Sequence, residues 1–559
     1  MSSFFDEASL VFIPSGYKTS KAYSVKPTDG TGDLTFTRSN DTATRVGPDG
    51  LIEKVRTNVM LQSNTFNTTW APTRLSVTSG QSDPNGGTTA WKISNNTTTN
   101  SFSFISQSAT GRTFSIYAKA GELTQMLMYV GGNRGVYFDL TNGSFVGWYS
   151  VSTGINYSST SVGGGWYRYV VTLTTTDILV AEVYTAAAGS IVYNLVSGEG
   201  LYLWRSQMEL GDIATDYIAT TTAAVSVGPV ANVPRLDYLN SSCGKLLLEP
   251  QRTNLVTYSD GLQVAQAFGA TLTKNQITSP DGYVNASLLT PLGGAAGITL
   301  ATASLSGNYT ISGYLKGTVA GQKVQVFGDL QGVIATFTLT TSWARYTATF
   351  NSTNATGQSI YFLSGSYFTP SENNPFYVYG AQLEAGAYAT SYIPTLGAAV
   401  TRGADAALKT SISSLIGQDE GTIFVEFEYN YSDSTTQVLF KANQTTDANS
   451  VGIEVQGTTI KGLVNSAGGN IATITGTIAT GTIKAALAYK TNDMAFYVNG
   501  TQVGVDTSGS IAFAGVVDIL TIGQFLLNGG TFFPASRPFN QALVFKTRLS
   551  NSDLAALTA

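Results

Sequence analysis

EKVRTN at residues 53–58 and EPQRTN at residues 249–254 are one phrase written twice. Each follows an apolar pair, Leu51-Ile52 and Leu247-Leu248, and each runs on to a serine, Ser63 and Ser259. Further echoes come in the same order. FSIYAKAG (114–121) matches TISGYLKG (310–317), and WYRY (166–169) matches WARY (343–346). QMELGDIATDYIAT (207–220) matches QLEAGAYATSYIPT (382–395), and AAVSVG (223–228) matches AAVTRG (398–403). Landmarks repeated in a fixed order mark an internal duplication. The interval is 196 residues from Arg56 to Arg252 and 175 from Ala223 to Ala398. The first copy therefore holds about twenty extra residues, which loops tolerate best.

Inside each copy the pattern is that of strands. KVQVFGDL (323–330) alternates polar and apolar residues, RYVVTLTTT (168–176) is rich in β-branched ones, and Gly- and Asn-rich breaks recur between them. That is the signature of β-sandwiches. The last stretch differs from the repeats but is also strand-like: GTIFVEFEY (421–429), QVLFKAN (437–443) and two hairpins, at Gln456-Gly457 and Asn499-Gly500. Ser550 is placed to cap a short final helix with Asp553 at its third position. The expected fold is all-β, a multidomain chain of antiparallel β-sandwiches. It comprises an N-terminal segment (1–49), a jelly roll (50–222), a connector (223–245), a second jelly roll (246–397) and a third sandwich (398–559).

Composition excludes several functions. Charged residues make up 12% of the chain and the net charge is −5, with no basic block; electrostatic capture of nucleic acid is not expected. There is no histidine and a single cysteine, Cys243. No Ser-His-Asp or Cys-His catalytic set, His/Cys zinc site or intrachain disulfide can form within one chain. Cys243 reads as a small buried residue. No apolar run reaches the ~20 residues of a membrane helix, so membrane insertion is not expected. The opening MSSFFDEASLVFIPSGYK lacks a basic start and does not read as a signal peptide.

The repeated phrase reads as a structural joint built twice. Jelly-roll topology brings first and last strands together, so Arg56 is expected to grip Glu209, and Arg252 to grip Glu384, through bidentate hydrogen bonds. Asn58 and Asn254 would cap backbone groups, and Glu53 and Glu249 are rival partners for the arginines. Trp166 and Trp343, held in both copies, read as core. The aromatics outside the repeat pattern, Trp70, Trp91, Trp148, Tyr149 and Trp204, are the candidate platforms for a glycan.

The phrases SLVFIPSGYK, GLIEKVRTNVMLQS, NVPRLDY, LLLEPQRTNLVTYS and QLEAGAYATSYIPT resemble bacteriophage structural proteins, particularly those of phages of Bacteroidetes-type hosts. The resemblance covers residues 8–400 and implies a tail, fibre or head-appendage protein whose jelly rolls look like carbohydrate-binding modules. GTIFVEFEY, MAFYVNGTQVG and ALVFKTRLSNSDLAAL resemble the concanavalin A-like, laminin-G-like fold. Glucanases of that fold carry a Glu-x-Asp-x-x-Glu strand; Glu426-Phe427-Glu428-Tyr429-Asn430-Tyr431 lacks the Asp and the last Glu, so no catalytic residue is assigned. Such folds also hold calcium, for which Asp433, Asn443 and Asp447 lie in suitable loops, although turn chemistry explains them too. The resemblance implies a non-enzymatic virion protein made in the host cytoplasm. It would be attached to other virion proteins through residues 1–49, form a homo-oligomer (a trimer by analogy) and contact host-surface polysaccharide. The alternatives are a purely architectural decoration protein and a polysaccharide depolymerase.

Overall fold

The computed structural model describes residues 2–174, 177–263, 266–353, 357–369, 371–513, 516–527, 530–532 and 535–559. Every strand pair within them is antiparallel, and the α-helices are Ser2–Glu7 and Asn551–Thr558. The chain divides into two compact bodies, Val55–Gly228 and a discontinuous one formed by Met1–Lys54 with Pro229–Ala559.

The Val55–Gly228 body is a sandwich of two six-stranded sheets. One runs Ile155–Gly163, Trp166–Leu173, Thr113–Ala120, Gly200–Glu209, Ala90–Asn95, Leu75–Gln81. The other runs Phe145–Trp148, Gly135–Asp139, Gln125–Tyr129, Ile178–Ala186, Phe104–Gly111, Ala71–Thr73. Alternate residues of each strand face inward, so Phe114, Ile116, Met126, Met128, Phe138 and Val183 are fully buried between the sheets.

The second copy repeats this plan inside the larger body. Its sheets run Ala344–Ser352, Gly307–Gly317, Phe376–Ala385, Val284–Pro291, Ala270–Thr278 and Gly332–Thr338, Lys323–Gly328, Gly357–Gly365, Ala295–Ser304, Ala267–Phe268. Strand for strand the order is that of the first copy without the outermost strand of each sheet. Those two strands, Phe145–Trp148 and Ile155–Gly163, lie in the stretch 140–165, where the second copy has only 339–343 between Gly332–Thr338 and Ala344–Ser352. The extra length seen in the sequence is thus largely one added strand at the edge of each sheet.

The third sandwich draws on three parts of the chain. One sheet runs Leu236–Asp237, Lys245–Leu248, Arg537–Phe545, Glu420–Tyr429, Gly481–Lys490, Met494–Val498, Thr501–Asp506, with Leu10–Phe12 also paired to Arg537–Phe545. The nine-stranded sheet opens with Tyr17–Lys18, Lys21–Ala22 and Leu34–Thr37 and continues through Ala406–Lys409 to Gly469–Thr477. The N-terminal segment, expected as a small separate piece, therefore supplies strands to both sheets; the connector supplies Leu236–Asp237, and Lys245–Leu248 runs from its last residue into the stretch expected to open the second jelly roll. The reason is burial: Leu10, Phe12, Leu34 and Phe36 are at most 1% exposed in the same core as Ile423, Val425 and Phe440. The Asn499-Gly500 turn has φ of +47° and +78°, the left-handed pair that a two-residue hairpin requires. Ser550 accepts the Asp553 amide and caps the final helix.

Candidate functional site

The joint residues form two nearly superimposable networks. Asn58 Nδ2 donates to the carbonyls of Ser206 (3.1 Å) and Ile218 (2.8 Å), and its Oδ1 accepts from Met60 N (3.0 Å) and Met208 N (3.1 Å). Asn254 does the same with Ala381 O (3.2 Å), Ile393 O (2.9 Å), Val256 N (3.0 Å) and Leu383 N (3.1 Å). Both amides are 0% exposed and use all four of their hydrogen-bonding positions. Ser63 then meets Tyr217 Oη and Thr220 N, as Ser259 meets Tyr392 Oη and Thr395 N. The strands Arg56–Asn58 and Arg252–Asn254 also pair with Val225–Val227 and Val400–Arg402, so each copy is zipped where the chain comes in and goes out.

The arginines contribute less than the asparagines. Arg252 Nε lies 3.9 Å from Glu384 Oε2, and Arg56 Nη1 lies 3.7 Å from Asp216, whose side chain is 89% exposed. Such long or solvated pairs contribute little. The carboxylates of Glu209 and Glu384 are engaged instead by the amide and hydroxyl of Thr215 and of Thr390. Glu53 pairs with Arg45.

Glu249 belongs to a buried ionic cluster in the larger body. Arg235 and Arg402 each lie 2.8 Å from its Oε2, Arg38 lies 3.0 Å from Asp405, and Arg235 also contacts Asp405. All five side chains are at most 4% exposed. Burial alone would raise the Glu249 pKa, but Arg402 and Arg235 outweigh it and hold the group down to about 2.

A different surface has the character of a binding face. Strand alternation in the first sandwich turns Ile105, Met128 and Val183 into the core and their neighbours Phe104, Tyr129, Glu182 and Tyr184 outward. Register aligns Phe104 with Tyr184, and Tyr129 and Ser106 with Glu182. The Phe104 and Tyr184 rings stack at 4.7 Å; Tyr129 meets Tyr184 at 6.3 Å and Tyr149 at 5.6 Å, edge to face. Phe102 extends the row 6.0 Å from Phe104, with the Arg74 guanidinium 5.0 Å above its ring. Phe102 and Tyr149 are 37% and 38% exposed, and the rings between them are half-buried. Tyr184 Oη donates to Glu182 at 2.8 Å. The result is a contiguous aromatic floor bordered by hydroxyls and one carboxylate. The corresponding face of the second copy carries Phe268, Tyr361 and Phe327, with Tyr361 5.9 Å and 6.4 Å from its neighbours.

Of the platform residues expected from sequence, only Tyr149 lies on this floor. Trp70 and Trp204 are 2% exposed and closed to a ligand: Trp70 packs on Phe66, and the Trp204 indole donates to Thr89 beneath Arg205. Trp91 is half-buried, its indole bonded to Asn64 O, and Trp148 packs at the sandwich edge against Phe145 and Tyr157. Tryptophan's large apolar area drew these rings inward. Trp166 is buried, and Trp343 is half-buried beside Tyr379 and Tyr392. Cys243, expected to be buried, is exposed. The floor was nonetheless visible as alternation in FISQ, LMY and EVY, where a ring or acid flanks each core aliphatic.

Glu426 and Glu428 lie on the outer face of the third sandwich, tied to Asn540, Gln541, Thr482 and Lys245. Burial would raise the Glu428 carboxyl, but hydrogen bonds from Lys245 and Asn540 outweigh it and keep it below the usual range. A glycosidic general acid needs the opposite shift. Asp433 is engaged by Thr435 and Asp447 by Lys441, and no cluster of three or more potential acidic or cysteine metal ligands occurs among the described residues.

No protein-family model matches the chain, and no curated protein matches it significantly. Among solved structures, it is similar over 27% of its length to 91% of the CBM40 of the Ruminococcus gnavus IT-sialidase bound to α2,3-sialyllactose, at 15% identity and a TM-score of 0.24. It is similar over 26% to a quarter (25%) of the NanB sialidase of Streptococcus pneumoniae, at 16% identity and a TM-score of 0.24. A pentraxin from Limulus polyphemus matches over 25% of this chain and 70% of its own, at 18% identity and a TM-score of 0.20. Likenesses this partial support no statement about activity.

Proposed function

We propose that this chain is a non-enzymatic surface protein of a bacteriophage particle whose first β-sandwich binds glycans on its aromatic face. The observation that carries the binding reading is the partly exposed row Phe102, Phe104, Tyr184, Tyr129 and Tyr149, set among hydroxyls on one sheet face. Clustered apolar surface rimmed by polar groups marks interaction sites, and aromatic rings offer large, rigid contact area to the apolar face of a sugar. The virion setting rests on the resemblance of residues 8–400 to phage structural proteins. Attachment to other virion proteins through residues 1–49, and assembly as a homotrimer, belong to the same reading. Copies clustered on a particle raise the effective concentration of a weak site, so a shallow floor suffices.

A glycan array probed with the whole chain tests the binding reading. Tyr184→Ala, which removes the ring shared by three contacts of the row, is expected to weaken the strongest hits at least about tenfold, or ~1.4 kcal/mol. A silent array would leave a purely architectural decoration protein as the better reading. Hits unchanged by Tyr184→Ala would move the site elsewhere.

A further inference from the structure

We infer that the aromatic face of the first sandwich takes an amino sugar with a free, protonated amine, and that Glu182 is the counter-charge that selects it. This rests on the glycan-binding reading above and deepens it. Glu182 stands on the outward face of Ile178–Ala186, opposite Tyr129 on one neighbouring strand and Ser106 on the other, with Tyr184 two residues along its own. The groups facing it are thus a phenol that donates to it, a second phenol and a serine hydroxyl.

Several other shielded carboxylates of this protein pair with cations, while Glu209 and Asp237 are held by hydroxyl and backbone groups. Glu428 has Lys245, Asp281 has Lys54, Asp33 has Lys21 and Asp447 has Lys441. Glu182 forms no ion pair among the described residues, and burial pushes its carboxyl up, opposed only by the Tyr184 hydroxyl. A carboxylate withdrawn from water without a partner is costly, and a ligand cation placed beside it recovers part of that cost. The rings add to the attraction, because a cation over a Tyr or Phe face is drawn to the negative face of the ring. The Phe104 and Tyr184 rings lie within 26° of parallel, while Tyr129 stands at 78° to Tyr184 and 87° to Tyr149. A sugar ring lying against this aromatic row and directing an amine toward Glu182 satisfies both features.

The test uses the intact chain and two probes of one backbone, the β-1,4-linked tetramer of glucosamine and its fully N-acetylated form, titrated at mildly acidic pH. The wild type is expected to bind the amine form at least about tenfold more tightly. Glu182→Gln should erase that preference while leaving the acetylated form unchanged. Ser106→Lys, which sets a cation opposite Glu182, should erase it in the same way and guards against a folding defect peculiar to one variant. Equal or better binding of the acetylated tetramer, or an equal loss for both tetramers in Glu182→Gln, overturns the inference, since the carboxylate would then only accept sugar hydroxyls. Failure of the amine tetramer to bind overturns it too. The glycan-binding reading falls separately, if the array is silent.

Discussion

Asn58→Ala is expected to destabilise the Val55–Gly228 body by about 3–4 kcal/mol, a large share of the ~5–15 kcal/mol that holds a domain together. The amide is wholly buried and bonded at every position, to two carbonyls and two backbone amides. Alanine leaves all four backbone groups without their partner, and each orphaned buried group costs about 1–3 kcal/mol before any water enters. Asn58→Asp separates the halves of the effect, because a carboxylate keeps the two acceptor roles and loses both donors. Its cost should be comparable, with two carbonyls set against a buried charge. Since a multi-body chain does not unfold in one step, the measurement is hydrogen exchange of peptides from 55–228 in the intact protein. A change below about 1 kcal/mol would show that the strand pairing alone closes the sandwich.

Asp405→Asn is expected to cost the larger body about 3–5 kcal/mol, because it leaves Arg38 and Arg235 buried with too little negative charge. The cluster joins the N-terminal segment, the connector and the stretch after the second copy, so its loss should loosen all three at once. Glu249 gives it a pH signature. Its folded pKa lies near 2 against an ordinary 4.5, held down by Arg402 and Arg235 against its burial. A depressed carboxylate pKa stabilises the fold above 4.5, and that contribution is lost as pH falls from 4.5 through about 2. Urea unfolding across that window should show a slope that flattens in Glu249→Gln. An unchanged slope would mean that other carboxylates govern acid unfolding.

The duplication was legible because its landmarks are the hydrogen-bonding residues of the joint. Asn58, Ser63, Thr215, Tyr217 and Thr220 recur as Asn254, Ser259, Thr390, Tyr392 and Thr395, and each pair has matching partners. The arginine, the most conspicuous residue of the repeated phrase, makes the looser contact, reaching Glu384 from Arg252 at 3.9 Å and Asp216 from Arg56, while the neutral amide two positions on holds the backbone. The aromatic row was overlooked for another reason. Composition singles out tryptophan, but exposure is decided by what covers a ring: Tyr129 and Tyr184 lie on a partly open sheet face, whereas Trp204 is covered beside Ala90 and Trp166, and Trp70, just before the strand Ala71–Thr73, packs into the core. A strand, a Pro-Ser-Gly turn and a second strand were legible in LVFIPSGYK, but the long-range pairing of Leu10–Phe12 and Leu34–Thr37 was not, because strands of three and four residues carry no mark of partners far along the chain.

That pairing has a consequence for biosynthesis. Leu10 lies in register with Val544, so the first strand made waits for the last strand to leave the ribosome. Until then Leu10, Phe12, Leu34 and Phe36 have no shelter, whereas the Val55–Gly228 body holds all of its own strands and can fold hundreds of residues earlier. Long-range closure of this kind is slow and leaves sticky edges exposed meanwhile. A chain interrupted before residue 537 would carry the two repeated sandwiches finished and the third left open, and overproduction should reward slower translation or chaperone supply over changes to the early domain.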